Sequence, residues 1–65
     1  MHFEYDKEAD AAYIYFEYPL EDGAVKKTIE KGEVIFDYDV KNKLVGVEIL
    51  NASRVLSKKA LLEVE

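Results

Sequence analysis

The sequence predicts an α+β fold, in which an antiparallel five-stranded meander carries a C-terminal helix packed on one face. Two observations lead to this prediction. Five short segments rich in β-branched and aromatic residues follow one another, and turn-forming residues separate them. After the fifth segment, the apolar residues change from alternating spacing to helical spacing. Because every connection is short, each strand is expected to pair with the next strand in the sequence.

The five strand-like segments differ in how strongly their residues favour a strand. The second segment, AAYIYFEY, is the strongest because aromatic and β-forming residues dominate it, whereas the third, AVKKTIE, is weaker. Pro and Gly mark the loop between these two segments, and a Lys-Gly pair marks the next turn. The predicted strands comprise residues 2–5, 11–18, 24–30, 33–38 and 44–50.

The tail is predicted to form one short helix. Either Asn51 or Ser53 can cap its start, because each side-chain oxygen can accept a free backbone N–H. Lys58 and Lys59 lie in the later part of the segment, where positive charge favours the negative end of the helix dipole. The apolar residues at helical spacing are Ala52, Val55, Leu56 and Ala60.

The chain has 65 residues, which predicts a single domain over residues 1–65. A domain of this size buries only about 60% of the surface that its unfolded chain exposes, so it is marginally stable alone. The sequence has no cysteine and one histidine, which excludes disulfides and a multi-histidine metal site within the chain. Self-association is therefore the expected source of extra stability, and a homodimer is predicted.

Nine basic and 14 acidic residues give a net charge of −5. This sign disfavours binding to nucleic acids and to anionic membrane surfaces, both of which need clustered Lys and Arg. No apolar run approaches the roughly 20 residues of a membrane span, and no secretory leader is recognisable, so a cytoplasmic location is expected. The abundance of charged residues and the absence of Gln, Cys and Trp resemble the composition of heat-adapted proteins.

Alternation along the strands sorts the side chains onto two faces of the sheet. The predicted core face carries Phe3, Tyr5, Ile14, Phe16, Val25, Ile29, Val34, Phe36, Val45, Val47 and Ile49. The second face carries Tyr13, Tyr15, Ile35, Leu44 and Leu50 among Glu17, Lys26, Thr28, Asp37 and Glu48. One short helix cannot cover both faces, so the second face is either a mixed solvated surface or a partner interface.

Association through Tyr13 and Tyr15 is favoured, most simply as a symmetric dimer, because a tyrosine ring buries area while its hydroxyl keeps a hydrogen bond. An unpaired edge strand is the competing route to a dimer. A different protein partner for the second face is a further alternative.

Two motifs, YDKEADAAYI and DYDVKNKLVGVEIL, lie in this order along the chain, and NAS follows them. With them the chain resembles the small prokaryotic family known as domain of unknown function 2283. Lys7 stands where the family pattern usually has Pro, and Asn42 stands where it usually has Gly. Both are mild changes within turns, since Asn tolerates a positive φ. The resemblance implies no established activity, but some members are thought to accompany small toxins, which implies an antitoxin-like role.

The stretch YDKEAD places Asp6, Glu8 and Asp10 within six residues. The preferred interpretation is a turn, in which Asp6 accepts a backbone N–H two residues later and Asp10 closes the loop. A metal site would need oxygen ligands that converge at fixed distances, and a turn alone directs its carboxylates into solvent.

The stretch DYDVKNKLVGVE also resembles a calcium-binding loop, with Asp37, Asp39 and Glu48 at ligand positions. Lys41 and Asn42 break that pattern, and strands rather than helices flank the loop. A second possibility is that Asp37 and Glu48 meet across adjacent strands. Like charges that lie opposite each other can raise one pKa, as acid–base catalysis requires.

Gly46 lies between Asp37 and Glu48 in strand order and would let another backbone or a ligand approach closely. The sequence contains no recognisable nucleophile–base pair and no closed set of metal ligands. It therefore favours a self-associating, non-catalytic interaction module that needs no cofactor or metal. The candidate interface or ligand face comprises Tyr13, Tyr15, Asp37, Gly46 and Glu48, and the alternative is a small metal-dependent or acid–base enzyme that uses Asp37 and Glu48.

Overall fold

The computed structural model describes residues 1–62, in which five strands form one antiparallel sheet and two short helices follow. The strands are β1 (His2–Asp6), β2 (Ala11–Tyr15), β3 (Lys27–Lys31), β4 (Val34–Tyr38) and β5 (Leu44–Leu50), and the helices are α1 (Ala52–Val55) and α2 (Lys58–Leu62). The predicted fold class is confirmed. Residues 63–65 of the predicted domain lie outside the described residues.

The order of the strands across the sheet is β1-β2-β5-β4-β3. The expectation that β2 pairs with β3 is therefore wrong, because β5 lies between β2 and β4 and the segment 16–26 leads to the far edge. This order places the most apolar strand in the middle of the sheet, where Val45, Val47 and Ile49 are buried. The charged strand β3, KTIEK, takes an edge and is exposed along its length, as suits an edge strand.

The second and third strands are shorter than predicted. Strand β2 ends at Tyr15 because the N–H groups of Phe16 and Glu17 both donate to the Val45 carbonyl, at 2.9 and 3.3 Å, which interrupts the regular ladder. Strand β3 begins at Lys27, and a single bond from the Lys26 N–H to the Tyr38 carbonyl extends the pairing before it. The other three strands agree with the prediction to within one residue.

The predicted core face is the face on which the helices pack. Its fully buried residues are Ala12, Val45, Val47 and Ile49, and Ala52 of α1 is buried with them. The partly buried residues packed against the cluster of Ala12, Val47, Ile49 and Ala52 are Phe3, Tyr5, Ile14, Val34, Phe36, Leu56 and Leu61. Ala12 is a core residue that the sequence pattern did not predict.

The tail forms two helices rather than the predicted single helix, because Leu56 adopts an extended conformation with φ −96° and ψ 151°. Ser57 then accepts the Ala60 N–H at 3.1 Å, so it caps a new helix instead of continuing the first. Asn51 precedes α1 with φ 52° and makes no side-chain cap bond, so its predicted capping role is wrong. Neither of these helices is long and apolar enough to cross a membrane, and no other helix is found in residues 1–62.

Candidate functional site

The face of the sheet opposite the helices contains all five candidate residues in two adjacent rows. We call this surface the tyrosine face. One row across the strands is His2, Tyr15, Gly46, Asp37 and Thr28. The neighbouring row is Glu4, Tyr13, Glu48, Ile35 and Glu30. Register, rather than proximity in the sequence, brings these side chains together.

Tyr13 reaches diagonally across β5 and passes over Gly46 to the next strand. Its hydroxyl donates to Oδ2 of Asp37 at 2.6 Å. A Cβ atom on Gly46 would lie 2.6 Å from both Cε1 and Cζ of Tyr13, closer than real Cβ contacts allow. A close approach does occur at Gly46, but the Tyr13 ring of the same chain makes it, rather than the other backbone or the ligand that the sequence suggested.

Both carboxylate oxygens of Asp37 accept hydrogen bonds on this face. Thr28 Oγ1 donates to Oδ1 at 2.8 Å, while the Tyr13 hydroxyl donates to Oδ2. Burial, and then the bond to Asp37, raise the pKa of Tyr13 well above the ordinary value for tyrosine. The Tyr13 hydroxyl therefore stays protonated and acts as a hydrogen-bond donor to Asp37.

Asp37 and Glu48 are not directly opposite each other, contrary to the pairing that the sequence suggested. Asp37 is paired with Gly46, whereas Glu48 is paired with Ile35 on one side and with Tyr13 on the other. The two carboxylates thus occupy neighbouring rows, and the Tyr13 side chain crosses from the Glu48 row to Asp37. The prediction missed this because the register of β4 against β5 depends on an irregularity between Asp37 and Tyr38.

Four rings form an aromatic cluster, which comprises His2, Tyr13, Tyr15 and Tyr18. His2 stacks on Tyr18 with centroids 4.0 Å apart and planes at 18°, while Tyr13 and Tyr15 are tilted at 4.5 Å. Tyr15 also lies 5.0 Å from Tyr18, edge to face. His2 and Tyr18 were missed as members, although pairing the first two strands through the YDKEAD turn would have placed His2 beside Tyr15.

Glu4 connects this cluster to a shallow depression beside it. The Tyr15 hydroxyl donates to Oε1 of Glu4 at 3.1 Å, and Nε2 of His2 lies 3.1 Å from Oε2. Burial, and then the Glu4 bond, raise the pKa of Tyr15. The depression has a volume of about 230 Å³, and its lining is Glu4, Asp6, Ala9, Ala11, Ala12, Tyr13 and Glu48. Within residues 1–62, no three His, Asp or Glu side chains are arranged to hold a metal ion.

The acidic residues of YDKEAD form a turn, as predicted. Oδ1 of Asp6 accepts the Glu8 N–H at 3.0 Å and the Ala9 N–H at 3.3 Å. Asp10 follows with φ 52° and accepts bonds from the Tyr5 hydroxyl and from Ser53 at the start of α1. Its carboxylate therefore joins two parts of the chain rather than pointing into solvent.

The segment that resembled a calcium-binding loop is also a turn. Oδ1 of Asp39 accepts the backbone N–H groups of Lys41 and Lys43, both at 2.9 Å. Asn42 takes φ 65°, the conformation for which the family pattern usually has Gly. This carboxylate is thus directed to its own loop, and Asp37 is directed to the tyrosine face.

Comparison with known proteins identifies the family of this chain, but the proteins it matches have no assigned activity. The family model described as "Protein of unknown function (DUF2283)" matches residues 2–53. An uncharacterised protein of Methanocaldococcus jannaschii is 35% identical over 54 residues, which is 83% of this chain and 43% of that protein. The chain thus spans less than half the length of this relative. No solved structure was found to match the chain.

Proposed function

We propose that this chain, which belongs to the DUF2283 family of proteins of unknown function, is a non-catalytic module that binds another protein through its tyrosine face. One observation carries the proposal: the Tyr13 hydroxyl binds Asp37 across Gly46, which fixes both a ring and a carboxylate on an exposed sheet. Rigid aromatic side chains suit binding because they bury a large area at a small cost in conformational entropy.

The hydrogen bonds of this face favour binding over acid–base catalysis. The carboxylate of Asp37 accepts bonds from Tyr13 and Thr28, which occupy two of its four lone pairs and hold both oxygens against neighbouring side chains of the sheet. The raised pKa of Tyr13 keeps its hydroxyl protonated, so Tyr13 cannot act as a general base in place of Asp37. Glu48 lies one row away and lacks an opposing carboxylate with which to share a proton.

The charge of the tyrosine face indicates the chemistry of its partner. Its two rows hold four carboxylates and neither Lys nor Arg. The carboxylates are those of Glu4, Glu30, Asp37 and Glu48. A partner segment rich in Lys and Arg would pair with them, and its cations could also lie over the tyrosine rings. A second copy of the chain would instead oppose like charges on this face, so the charge favours a basic partner over the Tyr13–Tyr15 dimer that the sequence suggested.

The test begins with a pull-down from the native host, using wild-type protein, Tyr15→Ala and the control Lys59→Ala, which changes the helical tail. A protein captured by the wild type and the control is then purified and its affinity measured by calorimetry at two salt concentrations. We expect Tyr15→Ala and Glu48→Gln each to weaken binding about tenfold, and added salt to weaken it further. Equal binding by all variants, or no dependence on salt, would show that the tyrosine face is not the binding surface.

An antitoxin-like role is one form of this proposal, and a gene for a small toxic protein beside this gene would support it. The enzymatic alternative draws on the acidic depression beside Glu48. Calorimetric titration with Mg²⁺, Mn²⁺, Ca²⁺ and Zn²⁺ tests that alternative. Binding at micromolar metal that Asp37→Asn or Glu48→Gln abolishes would favour the enzyme over the interaction module.

A further inference from the structure

The core face of the sheet is only partly covered by the helical tail. The fully buried residues are small or medium in size, and no large side chain is completely buried. The side chains that pack against the buried cluster, such as Phe3, Ile14 and Phe36, keep part of their surface in solvent. Within residues 1–62, a single layer of two short helices thus leaves the core incomplete.

The uncovered part lies towards β3, and a second exposed apolar side chain follows the end of β2. Ala52 of α1 is fully buried near Ala12 and Ile49, so the helices cover the end of the sheet from which they begin. At the other side, Ile29 is 41% exposed and Phe16 is 46% exposed. Ile29 is paired with the half-buried Phe36, and Phe16 continues the alternation of Ala12 and Ile14. The buried Val45 and Val47 of β5 separate Phe16 from the other two residues, so we call Ile29 and Phe36 the open apolar patch.

The surface area of the chain is larger than that of a monomer of its size. The chain exposes 4874 Å², whereas a folded monomeric protein of 7.5 kDa is expected to expose about 4,250 Å². The excess of about 600 Å² approaches the roughly 800 Å² that each partner buries in an interface of standard size. The exposed surface of the whole chain is therefore large enough to include one protein interface.

The two faces of the sheet differ in charge, and this difference indicates which face can pack against the same face of a second copy. The strand positions on the core face are Phe3, Tyr5, Ala12, Ile14, Lys27, Ile29, Lys31, Val34, Phe36, Tyr38, Val45, Val47 and Ile49. None of these positions in the described strands is acidic, although the chain has a net charge of −5. The tyrosine face carries five carboxylates at its strand positions instead, those of Glu4, Asp6, Glu30, Asp37 and Glu48. Two copies can thus meet through their core faces without opposing carboxylates in these strands. Lys27 and Lys31 flank Ile29 on this face, but both lie on the exposed edge strand, where their long side chains can keep the ammonium groups in solvent.

We propose that a second copy of this chain covers the open apolar patch, so that two sheets pack through their core faces in a two-fold dimer. A two-fold interface places the same patch on both sides, and apolar side chains are complementary to themselves. Ile29, which is 41% exposed in one copy, becomes buried between two copies. The tyrosine faces then point outwards on both sides of the dimer, so the dimer does not depend on the proposed partner binding.

Sedimentation equilibrium of the full chain at tens of micromolar tests this dimer with three single variants. Ile29→Lys places a charge in the proposed interface and should weaken dimerisation at least tenfold. Thr28→Lys is the matched control, because it introduces the same residue one position away on the tyrosine face, beside Asp37. Tyr15→Glu tests the competing interface. We expect Thr28→Lys and Tyr15→Glu to remain dimers.

A monomeric wild-type protein would overturn the proposal, and so would a dimer that Ile29→Lys preserves while Tyr15→Glu dissociates it. A second measurement keeps the test valid if Ile29→Lys does not fold. The Tm of the wild type should fall on hundredfold dilution, since a dimer loses stability as its concentration falls. A Tm that is independent of concentration would contradict the dimer, whereas failed partner binding alone would leave it intact.

Discussion

Asp10 binds Ser53 through two hydrogen bonds, which join the first turn of the sheet to the first turn of α1. Oδ2 accepts from the Ser53 hydroxyl at 2.7 Å, and Oδ1 accepts from the Ser53 N–H at 3.0 Å. The Asp10 carbonyl also accepts the Ala52 N–H at 2.8 Å. The N–H groups at the start of a helix need such acceptors. Here Asp10, 43 positions before Ser53, supplies them in place of Asn51.

Removal of the Asp10 carboxylate should destabilise the protein because it frees the start of α1. Asp10→Gly is the suitable variant, since residue 10 has φ 52° and Gly accepts this conformation without a steric cost. We expect Asp10→Gly and Ser53→Ala each to lower the Tm by roughly 4–8 °C, the shift for loss of one helix cap in a small domain. The double variant should lose less than the two shifts added together. Strictly additive shifts in calorimetric melting would contradict the coupling.

The same carboxylate should make stability depend on pH in the acid range. The bond from the Tyr5 hydroxyl, and then those from Ser53, hold the pKa of Asp10 below its ordinary value of 3.8. The unfolded state therefore binds more protons in this range, and the stabilisation is present above pH 3.8 and lost as the pH falls through the lowered pKa. Urea unfolding measured across this range should show a smaller decrease in stability for Asp10→Gly than for the wild type. Parallel pH profiles for the two proteins would contradict this role.

The sequence predicted the elements of this fold better than their arrangement. Alternation identified the core face because successive side chains of a strand point to opposite faces of the sheet, which can be read within each strand alone. The apolar residues Val45, Val47 and Ile49 of β5 are buried as expected. The pairing of β2 with β5, and the capping of α1 by Asp10, depend on contacts between distant segments that no local pattern encodes. For the same reason Gly46 was recognised as a point of close approach, but Tyr13 was not recognised as the group that approaches it.

Gly46→Ala should destabilise the protein because the new Cβ would displace the Tyr13 ring and its bond to Asp37. We expect a loss of about 1–3 kcal/mol in the free energy of unfolding, as for other overpacked sites. In a Tyr13→Ala background the ring is absent, so the same substitution should cost much less. In a Tyr13→Phe background the ring is retained, so the cost should persist. Urea unfolding of the six proteins measures these differences, and an equal cost in all three backgrounds would disprove the steric explanation.

Tyr13 should be the last tyrosine that ionises in alkaline solution. Burial and the Asp37 bond raise its pKa above the ordinary value of 10.0, so the folded state holds the proton more tightly than the unfolded state. The resulting stabilisation is present below pH 10.0 and is lost as the pH rises through the raised pKa. Ultraviolet titration, followed with circular dichroism, should show that Tyr13→Phe removes the latest phase and Asp37→Asn shifts it to lower pH. Persistence of that phase in Tyr13→Phe would assign it to another tyrosine.

Asn42 should respond to substitution according to backbone conformation alone. Its φ of 65° is left-handed, which costs most residues about 1–2 kcal/mol, and the neighbouring turn is held by Asp39 rather than by the Asn42 side chain. Asn42→Ala should therefore lower the free energy of unfolding by about 1 kcal/mol. Asn42→Gly should leave it unchanged or raise it, because Gly accepts a positive φ freely. Lys41→Ala is the control, since Lys41 is exposed and its φ is not positive, and it should have little effect. Chemical unfolding measures these free energies, and a larger free energy of unfolding for Asn42→Ala than for Asn42→Gly would contradict this explanation.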